Sequence, residues 1–133
     1  MLGDKIGEVK GRRLLRRVLS VEPLTAEVTF EDSGELFGVG TAGIGSYTSV
    51  VRADGSLFGN GQGMITSADG EAVTWTGTGL GQIGPGGAVS YRGMLFFRTT
   101  STKKLARLNN ACGAFEYEVD SKGETVSKIW EWK

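Results

Sequence analysis

The sequence predicts an all-β protein: a single domain over residues 1–133, folded as one closed antiparallel β-barrel of about eight strands. Three observations predict it. First, turn signals recur at nearly even spacing, at Asp32-Ser33-Gly34, Ala53-Asp54-Gly55, Ala68-Asp69-Gly70, Gly84-Pro85-Gly86-Gly87 and Asp120-Ser121-Lys122-Gly123. Asp-Gly and Gly-rich pairs favour positive φ and therefore tight hairpins. Second, the runs between these turns are rich in β-branched and aromatic residues that alternate with polar residues. Third, one short segment alone has helical spacing, so no helix covers a sheet face. Strands without covering helices bury their apolar face against one another. Closure into a barrel does this and removes exposed edges; a two-sheet sandwich is the alternative.

Taken in order, strands are expected near 6–19, 25–32, 35–42, 46–53, 56–67, 71–83, 88–100, 112–120 and 124–132. The first carries Lys5, Lys10, Arg12, Arg13, Arg16 and Arg17 against Asp4 and Glu8, and reads as a strand with a solvated, charged face. A phosphate or nucleic-acid role is the alternative for it. Both prolines, Pro23 and Pro85, fall in connections, where a missing N–H costs no ladder bond. Lys103 to Asn110 is one or two helical turns, with Leu105 and Leu108 spaced to pack as a plug or lid.

The middle strands identify the inner face. One parity reads Leu57, Gly59, Gly61, Gly63, Ile65; then Val73, Trp75, Gly77, Gly79, Gly81, Ile83; then Val89, Tyr91, Gly93, Leu95, Phe97; then Phe115, Tyr117, Val119. This set is apolar or glycine throughout and should point inward. The opposite parity is mostly polar but carries Phe58, Met64, Leu80, Met94 and Phe96. Apolar residues gathered on an outer face suggest a surface for self-association into a homo-oligomer.

Seven inward glycines need a cause, because glycine weakens a strand and fills no space. Curvature of a narrow barrel is one. A cavity ringed by Trp75, Tyr91, Phe97, Phe115 and Tyr117 is the other, and these five are the candidate ligand-binding residues.

Composition excludes several chemistries. The chain has no histidine, which removes Ser-His-Asp and Cys-His catalysis and His-ligated metals. Fifteen basic residues balance fifteen acidic ones, leaving no global electrostatic case for nucleic acid or an anionic membrane. No cofactor and no metal are expected. No stretch reaches the roughly 20 apolar residues of a membrane helix, and the basic start has no apolar signal core. Cys112 is the sole cysteine, which fits a reduced thiol in the cytoplasm. Gly59-Asn60-Gly61-Gln62-Gly63 and Gly77-Thr78-Gly79-Leu80-Gly81 lie inside strand patterns with no following helix, so they lack phosphate-loop geometry. Glu116 and Glu118 share a strand face and are expected to be solvated and cross-paired, with Lys128 or an arginine opposite. Trp130-Glu131-Trp132-Lys133 reads as a terminal strand with one tryptophan parity packed.

Gly45-Ser46-Tyr47, Arg52 to Gly63, Thr74-Trp75-Thr76-Gly77, Leu105 to Asn110, Phe115-Glu116-Tyr117-Glu118 and Ile129 to Lys133 together resemble a family of small prokaryotic proteins described as calycin-like, without an established function. The segment Gly77 to Phe97 also resembles the allene-oxide-cyclase-like and dirigent barrels. That resemblance implies an eight-stranded, often oligomeric barrel with a hydrophobic cavity, and transfers no catalytic residue.

The expected function is binding of a small apolar or amphipathic molecule inside the barrel. A cyclase- or isomerase-type enzyme is a second expectation; it needs a polar group reaching inward, for which Tyr47, Tyr91, Tyr117 and an inward Glu116 are candidates. A structural oligomeric module without a ligand is the third, and it requires a solid interior.

Overall fold

The computed structural model describes residues 1–133. Eight strands close into an antiparallel barrel in sequence order: β1 (Leu2–Val21), β2 (Leu24–Leu36), β3 (Val39–Val51), β4 (Leu57–Ser67), β5 (Ala72–Ile83), β6 (Val89–Thr99), β7 (Cys112–Val119) and β8 (Glu124–Trp132). β8 pairs back with β1, so the sheet has no free side over the barrel itself. Short 3₁₀ turns interrupt two connections, at Pro85–Gly87 and Lys104–Leu108.

Four hairpins fall where the sequence places them. At Asp54-Gly55, Gly55 has φ 85°, and the Asp54 carboxylate accepts the Ser56 amide at 2.9 Å. Asp120 accepts the Lys122 and Glu124 amides in the same manner at 2.9 and 3.0 Å. Such Asx contacts close the turn locally before any tertiary contact forms.

The expected turn at Asp32-Ser33-Gly34 is not one. Residues 25–42 do not form two strands broken there; β2 runs unbroken through Leu36, and the chain reverses at Phe37-Gly38. Both turn residues have positive φ, 50° and 75°, as a two-residue hairpin with the twist of its strands requires. Gly34 serves the ladder instead. A Cβ there would lie 2.2 Å from the Glu8 carbonyl oxygen, so glycine permits the close approach of β1 and β2. The expected segments 35–42 and 46–53 are consequently one strand, β3. The helical segment is a short 3₁₀ turn over Lys104–Leu108, within the one or two turns expected there.

Two packed ends bracket the interior. At one end Leu105 and Leu108, fully buried, plug the barrel against Ile6, Leu36, Val73, Phe97 and Ile129. Glu71 fixes the plug: its buried carboxylate accepts the Leu105 amide and the Ser101 hydroxyl, both at 2.7 Å. The Ser101 bond leads the contacts that hold its carboxyl below the ordinary range. Arg107 lies 3.9 Å above the Phe37 ring on the outside of this end. At the other end Leu57, Tyr91, Tyr117 and Val119 form a second cluster, packed with Tyr47 and Phe115.

β1 is longer than the barrel needs. It pairs with β8 only over Leu2–Arg12; the Arg13 amide then bonds the Gly123 carbonyl, and residues beyond pair with β2 alone. Leu14, Leu15, Val18, Leu19, Val21 and Leu24 of this overhanging hairpin are exposed.

The outward parity is as the alternation predicts. Phe58, Met64, Leu80 and Phe96 are exposed and Met94 half-exposed, with Phe58 directly opposite Leu80. Glu116 also points outward, opposite Arg92 and Lys128, so it is not the inward carboxylate an enzyme reading requires. Ile83 is exposed rather than inward, because β5 ends there beside the Pro85 turn. Neither terminal tryptophan packs inside: Ile129 occupies the inner parity of β8, and Trp130 and Trp132 lie outside on the β1–β8 seam, Trp132 half exposed.

Candidate functional site

Between the two packed ends lies a cavity of about 90 Å³. Its walls are mostly apolar or aromatic: Val9, Phe30, Tyr47, Ile65, Trp75, Tyr91, Leu95, Phe115, Tyr117 and Ile129, with Ser127 and the glycine runs of β4 and β5. An apolar void of about 150 Å³ stays dry and admits benzene. The smaller space here suits a compact guest of a few heavy atoms.

The glycines explain how so many rings fit. The Trp75 indole fills the room over Gly45 and Gly63; a Cβ at either would come within 2.8 Å of it. Tyr91 lies over Gly59 and Gly81, where a Cβ would meet ring carbons at 3.0 and 2.6 Å. Phe115 takes the place beside Gly79, at 3.0 Å. At these positions an aromatic from the next strand or the next but one takes the room of the missing side chain. Other glycines serve curvature, as at Gly93, where a Cβ would lie 2.0 Å from the Thr78 carbonyl oxygen. The inward glycines thus serve two ends: close approach of backbones at some positions and room for an aromatic ring at others.

Four of the five candidate residues come together here. Trp75, Tyr91, Phe115 and Tyr117 line the cavity. Phe97 does not; it is fully buried in the packed cluster beneath the plug. Phe30 and Tyr47 join the ring, and of these only Tyr47 has a role in the sequence reading. Phe30 contacts Tyr117 at 5.5 Å between centroids and Tyr47 at 5.9 Å. Tyr47 meets Tyr91 and Tyr117 edge-on at 5.8 and 5.9 Å. Edge-to-face pairs of this kind add about 0.5–1.5 kcal/mol each beyond burial.

The chain's three tyrosines therefore converge. Burial pushes all three phenols upward, Tyr47 to about 12. Tyr91 shares a hydrogen bond with the Ser49 hydroxyl at 2.5 Å. The Tyr117 hydroxyl is buried without a well-formed hydrogen bond, the Tyr47 phenol being the polar side chain that acts on it. Leaving a hydroxyl so costs about 1–3 kcal/mol. Asp32 also faces inward, beside Gly43 and Gly11, and burial raises its carboxyl to about 6. It lies outside the cavity wall.

No protein-family model matches the chain, and no curated protein does. Solved structures of similar fold do exist. A protein of unknown function from Clostridium acetobutylicum is 12% identical, with a TM-score of 0.81 and 96% of each chain covered. A β-barrel-like protein from Acinetobacter baumannii is 11% identical, with a TM-score of 0.81, covering all of this chain and 96% of that one. A conserved protein of unknown function from Rhodopseudomonas palustris is 11% identical, with a TM-score of 0.79, covering 98% and 97%. At such identities the likeness establishes the barrel and nothing finer.

Proposed function

We propose that the barrel binds a small, largely apolar molecule in its interior, in the manner of calycin-like and allene-oxide-cyclase-like barrels. The carrying observation is the cavity of about 90 Å³ walled by Trp75, Tyr91, Phe115 and Tyr117. An interior that is not solid favours ligand binding over a purely structural module. Walls of aromatic side chains with a few hydroxyls are the usual composition of a small-molecule site. The free, half-buried thiol of Cys112 suits a cytoplasmic setting.

Xenon tests the cavity without presuming a ligand. Xenon NMR should report a bound resonance, and Trp75→Phe should shift it. Native mass spectrometry of gently purified protein should show a copurified mass of small size. Absence of both xenon binding and bound mass would sink the proposal.

A further inference from the structure

The four arginines of the long first strand divide by register. Arg12 lies opposite Glu31 and Arg17 opposite Glu27, and each forms an ion pair with that glutamate at 3.3 Å on the outer face. Arg13 lies opposite Phe30, and Arg16 opposite Val28, both buried inner-face residues. The β-bulge between Arg13 and Leu15 keeps Arg13 and Arg16 on this inner parity. Neither has a carboxylate partner. Arg13 is half-buried and reaches over Gly123 of the β7–β8 turn, at the end of the barrel away from the plug.

That end is the tyrosine end. Against the burial that raises both phenols, Arg13 acts to lower Tyr47 and Tyr117, and Arg16 acts on Tyr47. The Tyr117 hydroxyl is the one buried side-chain polar atom of the chain without a well-formed hydrogen bond, with the Tyr47 phenol acting on it. The inward acid Asp32 does not consume the positive charge: no ion pair joins it to either arginine, and its carboxyl rises rather than falls. An apolar cavity, the Tyr117 phenol on its wall and two guanidinium groups without carboxylate partners thus lie toward the same end of the barrel.

We infer that the ligand is a small organic anion, a carboxylate on a short apolar body, with the body beside Trp75 in the cavity and the head held by the Tyr117 hydroxyl and the Arg13 and Arg16 guanidinium groups. This rests on the cavity reading above and adds the charge and polarity of the guest. Arginine suits a planar carboxylate because its N–H fork matches the two oxygens. The cavity's size confines the body to a short chain, which separates a free short-chain acid from a fatty acid or the acyl chain of a lipid.

The test is calorimetric titration with isovalerate, its neutral amide isovaleramide, and decanoate, at neutral pH and low ionic strength. Isovalerate should bind at least about tenfold more tightly than the amide, an advantage that falls as salt rises. Arg13→Gln and Arg16→Gln should each weaken isovalerate by about threefold or more and leave the amide unchanged. Tyr117→Phe should weaken both. Arg16→Gln changes an exposed side chain, so an unaltered melting temperature certifies its fold. Equal affinity for acid and amide, or insensitivity to both arginine substitutions, overturns the inference while xenon binding leaves the cavity reading standing. Tighter binding of decanoate than isovalerate overturns the short-chain assignment.

Discussion

The indole of Trp75 occupies the volume that a side chain at Gly63 would need: a Cβ there would lie 2.5 Å from Nε1 and Cε2. The two residues are direct cross-strand partners. A glycine in mid-strand is thus the precondition for a large aromatic on its neighbour, and the cavity wall depends on the pair rather than on either residue alone.

Gly63→Ala should therefore destabilise by about 1–3 kcal/mol, the usual cost of overpacking a filled site. The same substitution in a Trp75→Ala background should cost far less, since the obstruction is gone. Denaturant unfolding of the four proteins of this cycle gives the coupling directly. Additive effects would show that the indole moves aside freely.

Tyr117→Phe and Tyr91→Phe should differ in sign. The first removes a hydroxyl without a well-formed hydrogen bond, and stability should be unchanged or rise by up to about 1 kcal/mol. The second breaks the bond to Ser49 and should cost about 1 kcal/mol. Thermal and denaturant unfolding measure both; a Tyr117→Phe protein less stable than Tyr91→Phe would contradict this assignment of partners.

Asp32 should tilt stability with pH. Its carboxyl moves from 3.8 to about 6 on folding, so the folded protein holds this proton more tightly than the unfolded chain. The stability it contributes is complete below the ordinary carboxylate range and is lost as pH rises through about 6. The full shift corresponds to at most about 3 kcal/mol, and partial access to water reduces it to about 1–2. Asp32→Asn should remove the slope and gain that amount at neutral pH. The readout is the difference between variant and parent across pH 4–8, because Glu8, Asp54, Glu71 and Asp120 carry lowered carboxyls that act in the opposite sense. A flat difference curve would be the contrary result.

The tyrosines themselves should resist alkali. All three phenols are raised by burial, so the stability of their neutral form is present below pH 10 and lost only above it. Phenolate absorbance should appear together with unfolding rather than before it. A separate titration near 10 in folded protein would show one of the rings to be solvated.

Much of this barrel was legible because alternation on β4 to β7 is strong: glycine and aromatics on one side, threonine, arginine and glutamate on the other. The plug was legible from two leucines, Leu105 and Leu108, at helical spacing. The β2–β3 corner was not. Asp32-Ser33-Gly34 has ideal turn chemistry, yet Gly34 is needed for close approach to Glu8, and the reversal falls to Phe37-Gly38, where a bulky residue adopts positive φ. That misplaced break hid the inner parity Val28, Phe30, Asp32, Gly34, Leu36, and with it Phe30 and Asp32. Continuing the parity of residues 25–32 unbroken would have exposed both. Phe97 has the same inward parity as Tyr91, but parity does not tell height along a barrel, and Phe97 lies one packed layer nearer the plug. Arg13 and Arg16 were hidden by a bulge, which resets alternation without a mark in composition.

The overhang of the first hairpin sets which part of the molecule opens first. Beyond the Arg13 amide, β1 is bonded to β2 alone and buries none of its leucines. This ribbon can detach from its neighbour without breaking the closed ring of strands, so its amides should exchange with solvent long before those of β4 and β5. The two inner-face arginines ride on the segment with the least cooperative attachment. Fraying of this strand end is a local equilibrium much faster than unfolding, readable residue by residue from hydrogen exchange.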